Sequence, residues 1–327
     1  MKKIAFIHEW VDEVGNEKSN TQGERTVAGC FSEAFNTIEG VEYYEVACTL
    51  WLEKYYTRQG ETTREEILEK VKDYDHIFYT SETVKLLKDI FENDEKLFNN
   101  SYLFSVWACM KGYKPGKDFQ NLFETNLFIQ PKNIVTSYDI NWGGYFNVKN
   151  RFLGFFIPEQ KVNEKKENWI MIGTKHVDQF PENFNEYLDY LISKDYLVFT
   201  TVKKLYEEDL KNRIGEECFS KIINLRVIER SNYLSIINMC KGFLYWDKPD
   251  YSYAALEASS VTKVYHMQGN HPVLENYKTS YTFENFEDFK LVFENNLDTV
   301  HECNGKVKNY NIASYTNRIK NLLKLHD

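Results

Sequence analysis

The sequence predicts an α/β protein with two Rossmann-like domains of similar size. Apolar strand patterns alternate with helical patterns in two series, one in each half of the chain. This alternation is typical of parallel sheets covered by helices. The chain has 327 residues, more than a single hydrophobic core usually holds, so two domains are expected. The polar stretch QKVNEKKEN at 160–168 is the best linker candidate, and it predicts an N-terminal domain over 1–160 and a C-terminal domain over 161–327.

The first half contains five strand patterns and three helical patterns. The strands are predicted at Lys3–His8, Tyr43–Leu50, His76–Tyr79, Tyr102–Trp107 and Asn133–Tyr138. The helices are predicted at Glu24–Thr37, Thr63–Val71 and Glu82–Phe91. In the first helix, Val27, Cys30 and Phe31 begin a set of apolar residues at helical spacing.

The second half repeats this alternation and adds two late helices. Strands are predicted at Trp169–Ile172, Tyr196–Thr200, Ile222–Ile228, Gly242–Trp246 and Val261–Met267. Helices are predicted at Pro181–Ser193, Lys204–Arg213, Asn232–Cys240, Ala254–Ser260, Phe286–Asn295 and Ala313–Leu325, with the last one assigned to the C-terminal domain. Two such domains facing one another are expected to leave a cleft, which is a favoured place for small ligands.

Composition excludes several classes of protein. The net charge of −9 argues against a general nucleic-acid binder, although a local basic patch would suffice for one. The six cysteines are scattered without a CxxC pair, so neither a zinc site nor a redox motif is predicted. The N-terminus lacks the pattern of a signal peptide, and no run approaches the ~18 apolar residues of a membrane span. We expect a cytoplasmic monomer or homodimer with no metal site.

Three loops carry the candidate ligand-binding residues. Gly23 precedes a helix, where backbone N–H groups can approach an anion. The sequence Gly173-Thr174-Lys175-His176 follows a strand and offers close backbone approach, a hydroxyl and one or two cations, as a diphosphate cradle would.

The third loop leads into a helix that carries one acid, Glu257, among small and apolar residues. This helix follows the strand at Gly242–Trp246, and Tyr251 lies in the connection between them. Open α/β sheets bind ligands at the carboxyl ends of their strands, and a carboxylate there can accept hydrogen bonds from the hydroxyls of a ribose. The alternative is an exposed Glu on an ordinary connection.

Two further groups of residues concern an acceptor and a catalytic base. His8, Glu9 and Asp139 stand at or just after the ends of predicted strands and are candidates for a general base. The window 101–150 holds five lysines against three acids, and within it Lys111, Lys114 and Lys117 are candidates for contacts with DNA phosphates.

The chain resembles the GT-B glycosyltransferases. Gly23-Glu24-Arg25 is similar to the turn that opens many of their N-terminal domains, and Leu256-Glu257-Ala258 is similar to the signature whose Glu binds the donor ribose. The resemblance implies a nucleotide-diphosphate sugar as donor, most often a UDP-sugar, and no tightly bound cofactor. Retaining members carry a further acid eight residues before that Glu, and this chain departs from them with Pro249.

A narrower resemblance is to the DNA β-glucosyltransferases of T-even phages, and it rests on Val71–Asp75, Tyr102–Ser105 and Trp246–Lys248. It implies a hydroxymethylated DNA base as acceptor, in a phage-infected cell. The aspartate that serves as base in those enzymes is not matched, because Val106 and Trp107 follow the corresponding strand here. A bacterial surface glycan is the alternative acceptor. A non-catalytic nucleotide or sugar sensor is the alternative class, whereas the lack of GxGxxG disfavours a Rossmann oxidoreductase.

Overall fold

The computed structural model contains two mainly parallel β-sheets with helices on both faces of each, which confirms the predicted fold class of two α/β domains. One unit comprises Met1–Phe156 with Tyr310–Asp327, and the other comprises Ile157–Asn309. The structure describes residues 1–8, 27–49, 53–80, 83–105, 132–136, 150–153, 157, 160–174, 177–226, 228, 230–247, 253–269, 280–297 and 310–325. Within these ranges, no helix has both the length and the apolar character that crossing a membrane requires.

The sheet of the first unit has eight strands in the order β4-β3-β2-β1-β5-β6-β7-β8. The strands are β1 Lys2–His8, β2 Val41–Thr49, β3 Lys54–Thr57, β4 Gly60–Thr62, β5 His76–Tyr79, β6 Ser101–Ser105, β7 Ile134–Thr136 and β8 Asn150–Phe152. The helices are α1 Val27–Asn36, α2 Arg64–Val71, α3 Val84–Asn93 and α4 Glu95–Asn99. Strand β3 is antiparallel to both of its neighbours, β2 and β4, and the other pairs are parallel.

Local sequence explains how these helices begin. The Thr63 hydroxyl accepts a hydrogen bond from the Glu66 N–H, and the Glu66 carboxylate accepts one from the Thr63 N–H. This reciprocal capping box satisfies backbone donors that the first turn of α2 leaves without helical partners. Asp94 caps α4 in a simpler way, by accepting a hydrogen bond from the Leu97 N–H.

The two faces of the first sheet pack on different helices. One face packs on α2, α3 and α4, where aliphatic side chains such as Ile7, Val46 and Leu87 mix with tyrosine and phenylalanine rings. On the other face, an aromatic cluster forms where Phe31 of α1 packs against Phe6, Phe78 and Phe104, with ring centroids 4.7–5.0 Å from that of Phe31. Because strand side chains alternate between faces, His8 and Glu45 lie on the aromatic side.

The terminal helix belongs to the first unit, which corrects its assignment to the C-terminal domain. This helix, α11, spans Ile312–Leu323, and the whole of it belongs to the same unit as β1 and α1. Its Tyr315 is fully buried and lies edge-on to Phe31, with ring centroids 6.0 Å apart. The Arg318 guanidinium also donates to the Leu153 carbonyl oxygen at 2.6 Å. Tertiary packing therefore returns the end of the chain to the domain that contains its beginning.

The second unit has a six-stranded parallel sheet in the order β11-β10-β9-β12-β13-β14. Its strands are β9 Glu167–Ile172, β10 Leu197–Thr200, β11 Ile223–Asn224, β12 Cys240–Tyr245, β13 Lys263–Met267 and β14 Ser280–Phe283. Its helices are α5 Phe184–Ser193, α6 Glu207–Ile214, α7 Glu216–Ser220, α8 Arg230–Met239, α9 Tyr253–Val261 and α10 Phe286–Asn296. One face packs on α5, α6, α7 and α10 through an aromatic core around Trp246, and the other carries α8 and α9.

Two lysines cap the C-termini of helices at the amino-terminal edge of the second sheet. The Lys166 ammonium donates to the carbonyl oxygens of Asn238 at 2.6 Å and Val261 at 2.7 Å, in the last turns of α8 and α9. Lys263 does the same for Asn296 and Leu297 at the end of α10. Cations at these positions satisfy orphan carbonyls and complement the negative end of the helix dipole. Burial lowers the pKa of Lys166 to about 8, an effect that the nearby Lys263 charge increases.

We predict that the free energy of unfolding rises with pH because of Lys166. The folded protein binds this proton with a pKa of about 8, and the unfolded chain binds it with the ordinary value of 10.5. Between these two values the unfolded chain holds more protons, so the free energy of unfolding should rise with pH. In urea titrations from pH 7 to 10, the wild type should gain stability relative to Lys166→Met. The exposed neighbour Lys165 provides the control, because Lys165→Met should follow the wild-type curve. Parallel pH curves for wild type and Lys166→Met would contradict the prediction.

We also predict that removing the Tyr315 ring destabilises the first unit. Tyr315→Ala should lower the free energy of unfolding by about 3–5 kcal/mol, because a large buried aromatic side chain leaves a cavity. Tyr315→Phe should lose much less, since it keeps the ring that contacts Phe31. Urea unfolding of both variants provides the measurement. Equal losses would show that the hydroxyl, and not the packing of the ring, holds α11 in place.

Candidate functional site

The second sheet has a single point at which the strand order reverses. From β9 the chain adds β10 and β11 on one side, and it then crosses to add β12, β13 and β14 on the other. Open α/β sheets bind ligands at such a point, outside the carboxyl ends of the two diverging strands. Here those ends are Gly173-Thr174 after β9 and Trp246-Asp247 after β12. We call these four residues the switch-point residues of the second unit.

Gly173 is required by packing. A Cβ atom at this position would lie 1.9 Å from Cζ of Phe243 and 2.3 Å from its Cε1 atom, well inside van der Waals contact. The Gly173 N–H also donates to the Leu244 carbonyl oxygen at 2.9 Å, which continues the β9–β12 pairing beyond the strand. The sequence predicted that a glycine here allows a close approach to the backbone. Within the protein the group that approaches is the Phe243 ring, and the approach of a diphosphate stays a prediction.

Thr174 links the two strands through its side chain. Its hydroxyl oxygen accepts a hydrogen bond from the Trp246 N–H at 2.9 Å, and the residue is buried. The threonine predicted to contact a diphosphate thus holds the ends of β9 and β12 together. Its hydroxyl proton can serve a second acceptor, because the Trp246 N–H contact uses only an oxygen lone pair.

Asp247 is a buried carboxyl group that the sequence analysis did not select for the site. It directly follows the apolar run of β12 and is only 2% exposed. Side chains alternate along β12, and Leu244 and Trp246 belong to the core on the α5 and α10 side. The alternation therefore directs Asp247 toward the face that carries α8 and α9. An acid directly after a buried strand is the signal that could have identified it.

Glu257 lies one turn into α9, the helix after β12, and it too is only 3% exposed. The alternative of an exposed Glu on an ordinary connection is therefore wrong. The Glu257 charge lies close enough to Tyr233 of α8 to affect its phenol: burial raises the pKa of Tyr233 well above its ordinary value, and Glu257 raises it further. A buried carboxylate next to the switch point can accept hydrogen bonds from ligand hydroxyls.

The first sheet has its own switch point, between β1 and β5, and His8 ends β1 there. The His8 Nε2 atom lies 3.2 Å from the Glu45 Oε1 atom, and both side chains are fully buried. Glu45 stands on β2, where Phe6 of β1 is its register partner. The sequence analysis missed Glu45, because only the register shows that it shares a face with His8.

Two threonines complete the first switch point. The Thr80 N–H donates to the Ile7 carbonyl oxygen at 3.2 Å, and the Thr83 hydroxyl contacts the carbonyl oxygens of Ile7 and Thr80 at 3.2 and 2.9 Å. Thr80 follows β5 and is buried, and its hydroxyl has no hydrogen-bond partner among the described residues. The described part of this edge therefore combines an imidazole, a carboxylate and a hydroxyl.

All of the remaining predicted site residues lie outside the described residues. They are Glu9, Gly23, Lys111, Lys114, Lys117, Asp139, Lys175, His176 and Tyr251. Their roles stay predictions. Among the residues that are described, no group of three or more His, Cys, Asp or Glu side chains could hold a metal ion.

Comparisons with known proteins bear on the fold. No protein-family model and no curated protein matches the chain. Among solved structures, the UDP-GlcNAc 2-epimerase of Methanocaldococcus jannaschii, in complex with UDP-GlcNAc and UDP, is similar over 100% of both chains, with 10% identity and a TM-score of 0.62. The UDP-N-acetylglucosamine 2-epimerase of Rickettsia bellii is similar over 99% of this chain and 96% of its own, with 12% identity and a TM-score of 0.59.

A third similar structure is a TarM mutant of S. aureus in complex with fondaparinux, alpha-GlcNAc-glycerol and UDP. It has 11% identity and a TM-score of 0.57 over 82% of this chain and 61% of its own. At such identities the likeness concerns the fold, and it confirms a GT-B-like fold with two mainly parallel-sheet domains. The narrower resemblance to phage DNA glucosyltransferases stays a prediction.

We predict that Gly173 and Phe243 are energetically coupled. Gly173→Ala should lower the free energy of unfolding by about 1–3 kcal/mol, because its methyl group would overlap the Phe243 ring. Phe243→Leu removes the ring atoms that clash, so the double variant should lose less stability than the sum of the two single losses. A double-mutant cycle in urea measures this coupling. Strictly additive losses would mean that the backbone at Gly173 moves away from the ring without cost.

Proposed function

We propose that this chain is a nucleotide-sugar enzyme that transfers a sugar from a nucleotide-diphosphate donor, most simply a UDP-sugar, to an acceptor hydroxyl. The observation that carries the proposal is a pair of buried carboxyl groups: Asp247, one of the switch-point residues of the second sheet, and Glu257 on the helix that follows it. Carboxyl groups are seldom buried without a polar role, and hydroxyl-rich ligands suit them.

The nucleotide would bind along the carboxyl edge of the second sheet. Glu257 would accept hydrogen bonds from the ribose hydroxyls, and such charge-assisted bonds are roughly twice as strong as neutral ones. The diphosphate would lie at Gly173 and Thr174, where the threonine hydroxyl can donate a proton. Lys175 and His176, next along the chain, would supply its positive charge. Asp247 would repel a phosphate, so we assign it to a hydroxyl of the sugar.

His8 is our choice for the group that takes the proton of the acceptor hydroxyl. It ends the central strand of the first sheet, where α/β proteins place their chemistry, and the Glu45 carboxylate lies 3.2 Å from its imidazole. Of the three candidates for a base, it is the one within the described residues. A positioned base of this kind typically contributes 10²–10⁴-fold to the rate.

A UDP-sugar 2-epimerase is the second candidate, and one observation favours it. The similar epimerase structures are covered over 96–100% of their own length, whereas the TarM structure is covered over 61%. The TarM complex favours transfer, because UDP beside a GlcNAc-glycerol is the pair of products that transfer from UDP-GlcNAc to glycerol would leave. Both candidates use the same nucleotide site and differ in the fate of the sugar.

One assay separates these candidates. The protein would be incubated with UDP-glucose, UDP-GlcNAc and UDP-galactose, each alone and with hydroxymethylated DNA or a bacterial glycan precursor, and the products identified by mass spectrometry and NMR. A new glycoside supports transfer and identifies the acceptor, while a changed sugar configuration without acceptor supports epimerisation. Binding without turnover would support a sensor. If no nucleotide or nucleotide sugar bound, the proposal would be rejected.

We predict that Glu257→Gln weakens UDP binding by about 1.5–3 kcal/mol, which is roughly 10- to 150-fold in Kd, because the ribose would lose a charged acceptor. The fold should persist, since glutamine has nearly the same shape. Titration calorimetry with UDP provides the measurement. Glu217→Gln is the matched control, because that side chain is 89% exposed on α7 and should leave the affinity unchanged. Unchanged affinity in a folded Glu257→Gln variant would remove Glu257 from the site.

A further inference from the structure

A row of three charged or titratable side chains runs from the carboxyl end of β1 to the hairpin of β3 and β4. The His8 Nε2 atom lies 3.2 Å from Glu45 Oε1, and the Arg58 Nε atom lies 3.6 Å from Glu45 Oε2. The first two side chains are fully buried, whereas that of Arg58 is 36% exposed. The row therefore connects a buried imidazole to the protein surface.

We propose that Glu45 is a positioning residue that fixes the tautomer of His8, and that Arg58 holds Glu45 in place. This inference rests on the proposed function, in which His8 accepts a proton. An ionised carboxylate only accepts hydrogen bonds, so a neutral His8 that faces it must carry its hydrogen on Nε2. The lone pair then lies on Nδ1, and Nδ1 is the atom that takes the proton.

The sheet register explains why Arg58 reaches Glu45. Strands β2 and β3 are antiparallel, with Ala47 opposite Tyr56, and continuing this register brings Arg58 opposite Glu45. Arg58 has two further contacts: its Nη1 atom donates to Asn36 Oδ1 at 3.4 Å, and its guanidinium lies 5.5 Å from the centre of the Tyr43 ring. These contacts restrict the guanidinium to the side of the sheet on which Glu45 lies.

Tyr43 stays neutral beside this row. Burial raises its pKa well above the ordinary value, and the neighbouring Glu45 charge raises it further, while Arg58 lowers it. The phenol therefore does not compete with His8 for a proton near neutral pH.

A purely structural role explains this row poorly. Phe6 and Phe31 of the aromatic cluster lie on the same side of the sheet, and the Phe6 ring centroid is 4.9 Å from that of His8. Replacing buried ion pairs by apolar residues of similar volume is often neutral or stabilising, so such a pair is a weak source of stability. Its position at the switch point, where the proposed reaction needs a base, gives it a chemical role.

Transfer of the sugar moves one proton from the acceptor to His8. The acceptor oxygen forms a bond to the anomeric carbon of the donor sugar, and its proton moves to Nδ1 of His8. The bond from the anomeric carbon to the diphosphate oxygen breaks, and its electron pair leaves with the nucleoside diphosphate. His8 becomes an imidazolium whose charge Glu45 stabilises, and it returns its proton to water before the next turnover.

The test combines nitrogen NMR with kinetics on the full chain. In ¹⁵N-labelled wild type, the His8 ring should carry its proton on Nε2 when neutral, with the signal assigned by its loss in His8→Gln. Glu45→Gln can both donate and accept, so His8 should populate both tautomers. We expect kcat to fall on the order of 10²-fold, within the range that a positioned base contributes. The KM for the nucleotide sugar should be unchanged, because the proposed donor contacts belong to the second unit.

Arg58 supplies the second variant and the rescue, since it lies partly at the surface and its replacement is expected to fold. Arg58→Met should lower kcat by a smaller factor than Glu45→Gln, and Arg58→Lys should restore part of the loss by returning the positive charge. Arg64→Met is the matched control, because that arginine pairs with Asp89 at 3.3 Å on the exposed surface of the same unit.

Defined outcomes would overturn the inference. One is a wild-type His8 with its proton on Nδ1. Another is a folded Glu45→Gln variant with the wild-type tautomer and wild-type kcat. If wild type turned over no nucleotide sugar, the proposed function would fail. The tautomers of wild type, Glu45→Gln and Arg58→Met would still show whether Glu45 and Arg58 orient His8, so the two failures are distinguishable.

Discussion

The hydrogen bond from the Trp246 N–H to the Thr174 hydroxyl oxygen is the contact on which the carboxyl edge of the second sheet depends. It joins β9 and β12 just beyond their last paired residues, where the two strands would otherwise diverge. Gly173 makes this approach possible by leaving room for the Phe243 ring. Because the ends of both strands are held, Asp247 occupies a fixed place at the edge of the sheet. Rigid support of this kind is what a binding site needs from its second layer of contacts.

The two units follow one principle with different residues. In each, the central strand ends in a polar residue at the point where the strand order reverses: His8 in the first sheet and Thr174, beyond Gly173, in the second. In the first unit the Glu45 carboxylate contacts His8, and in the second unit Asp247 and the helix that carries Glu257 follow β12, the strand that pairs with β9. Burying such groups opposes folding, and proteins tolerate this opposition mainly at functional sites. The polar edges therefore mark the candidate sites more sharply than the fold does.

Sequence patterns predicted most strands and helices because each depends on local periodicity and capping. The strand at His76–Tyr79 agrees with the structure at both ends, and Thr63 and Glu66 make a capping box at the predicted start of α2. Features that depend on distant contacts were missed. The hairpin of β3 and β4 turns through Arg58 and Gln59, a pair without the usual hairpin signal. Val261 belongs to an apolar run that is typical of a strand, but it is the last residue of α9. The domain to which α11 belongs depends on the packing of Tyr315 against Phe31, a contact between distant parts of the chain.

The same distinction explains the site. Glu257 could be selected from the sequence because it stands alone in a helix after an apolar strand. Glu45 could not, because an acid inside VEYYEVACT reads as one of two exposed carboxylates until the β1–β2 register places it beside His8. Register is also what brings Arg58 to it from the next hairpin. A fold shared by epimerases and by a TarM complex with UDP does not decide between breaking a sugar bond for transfer and for epimerisation. Under our proposal the acid–imidazole pair in the first unit would supply the base for transfer to an acceptor hydroxyl, so the identity of the acceptor, and not the fold, would separate the two reactions.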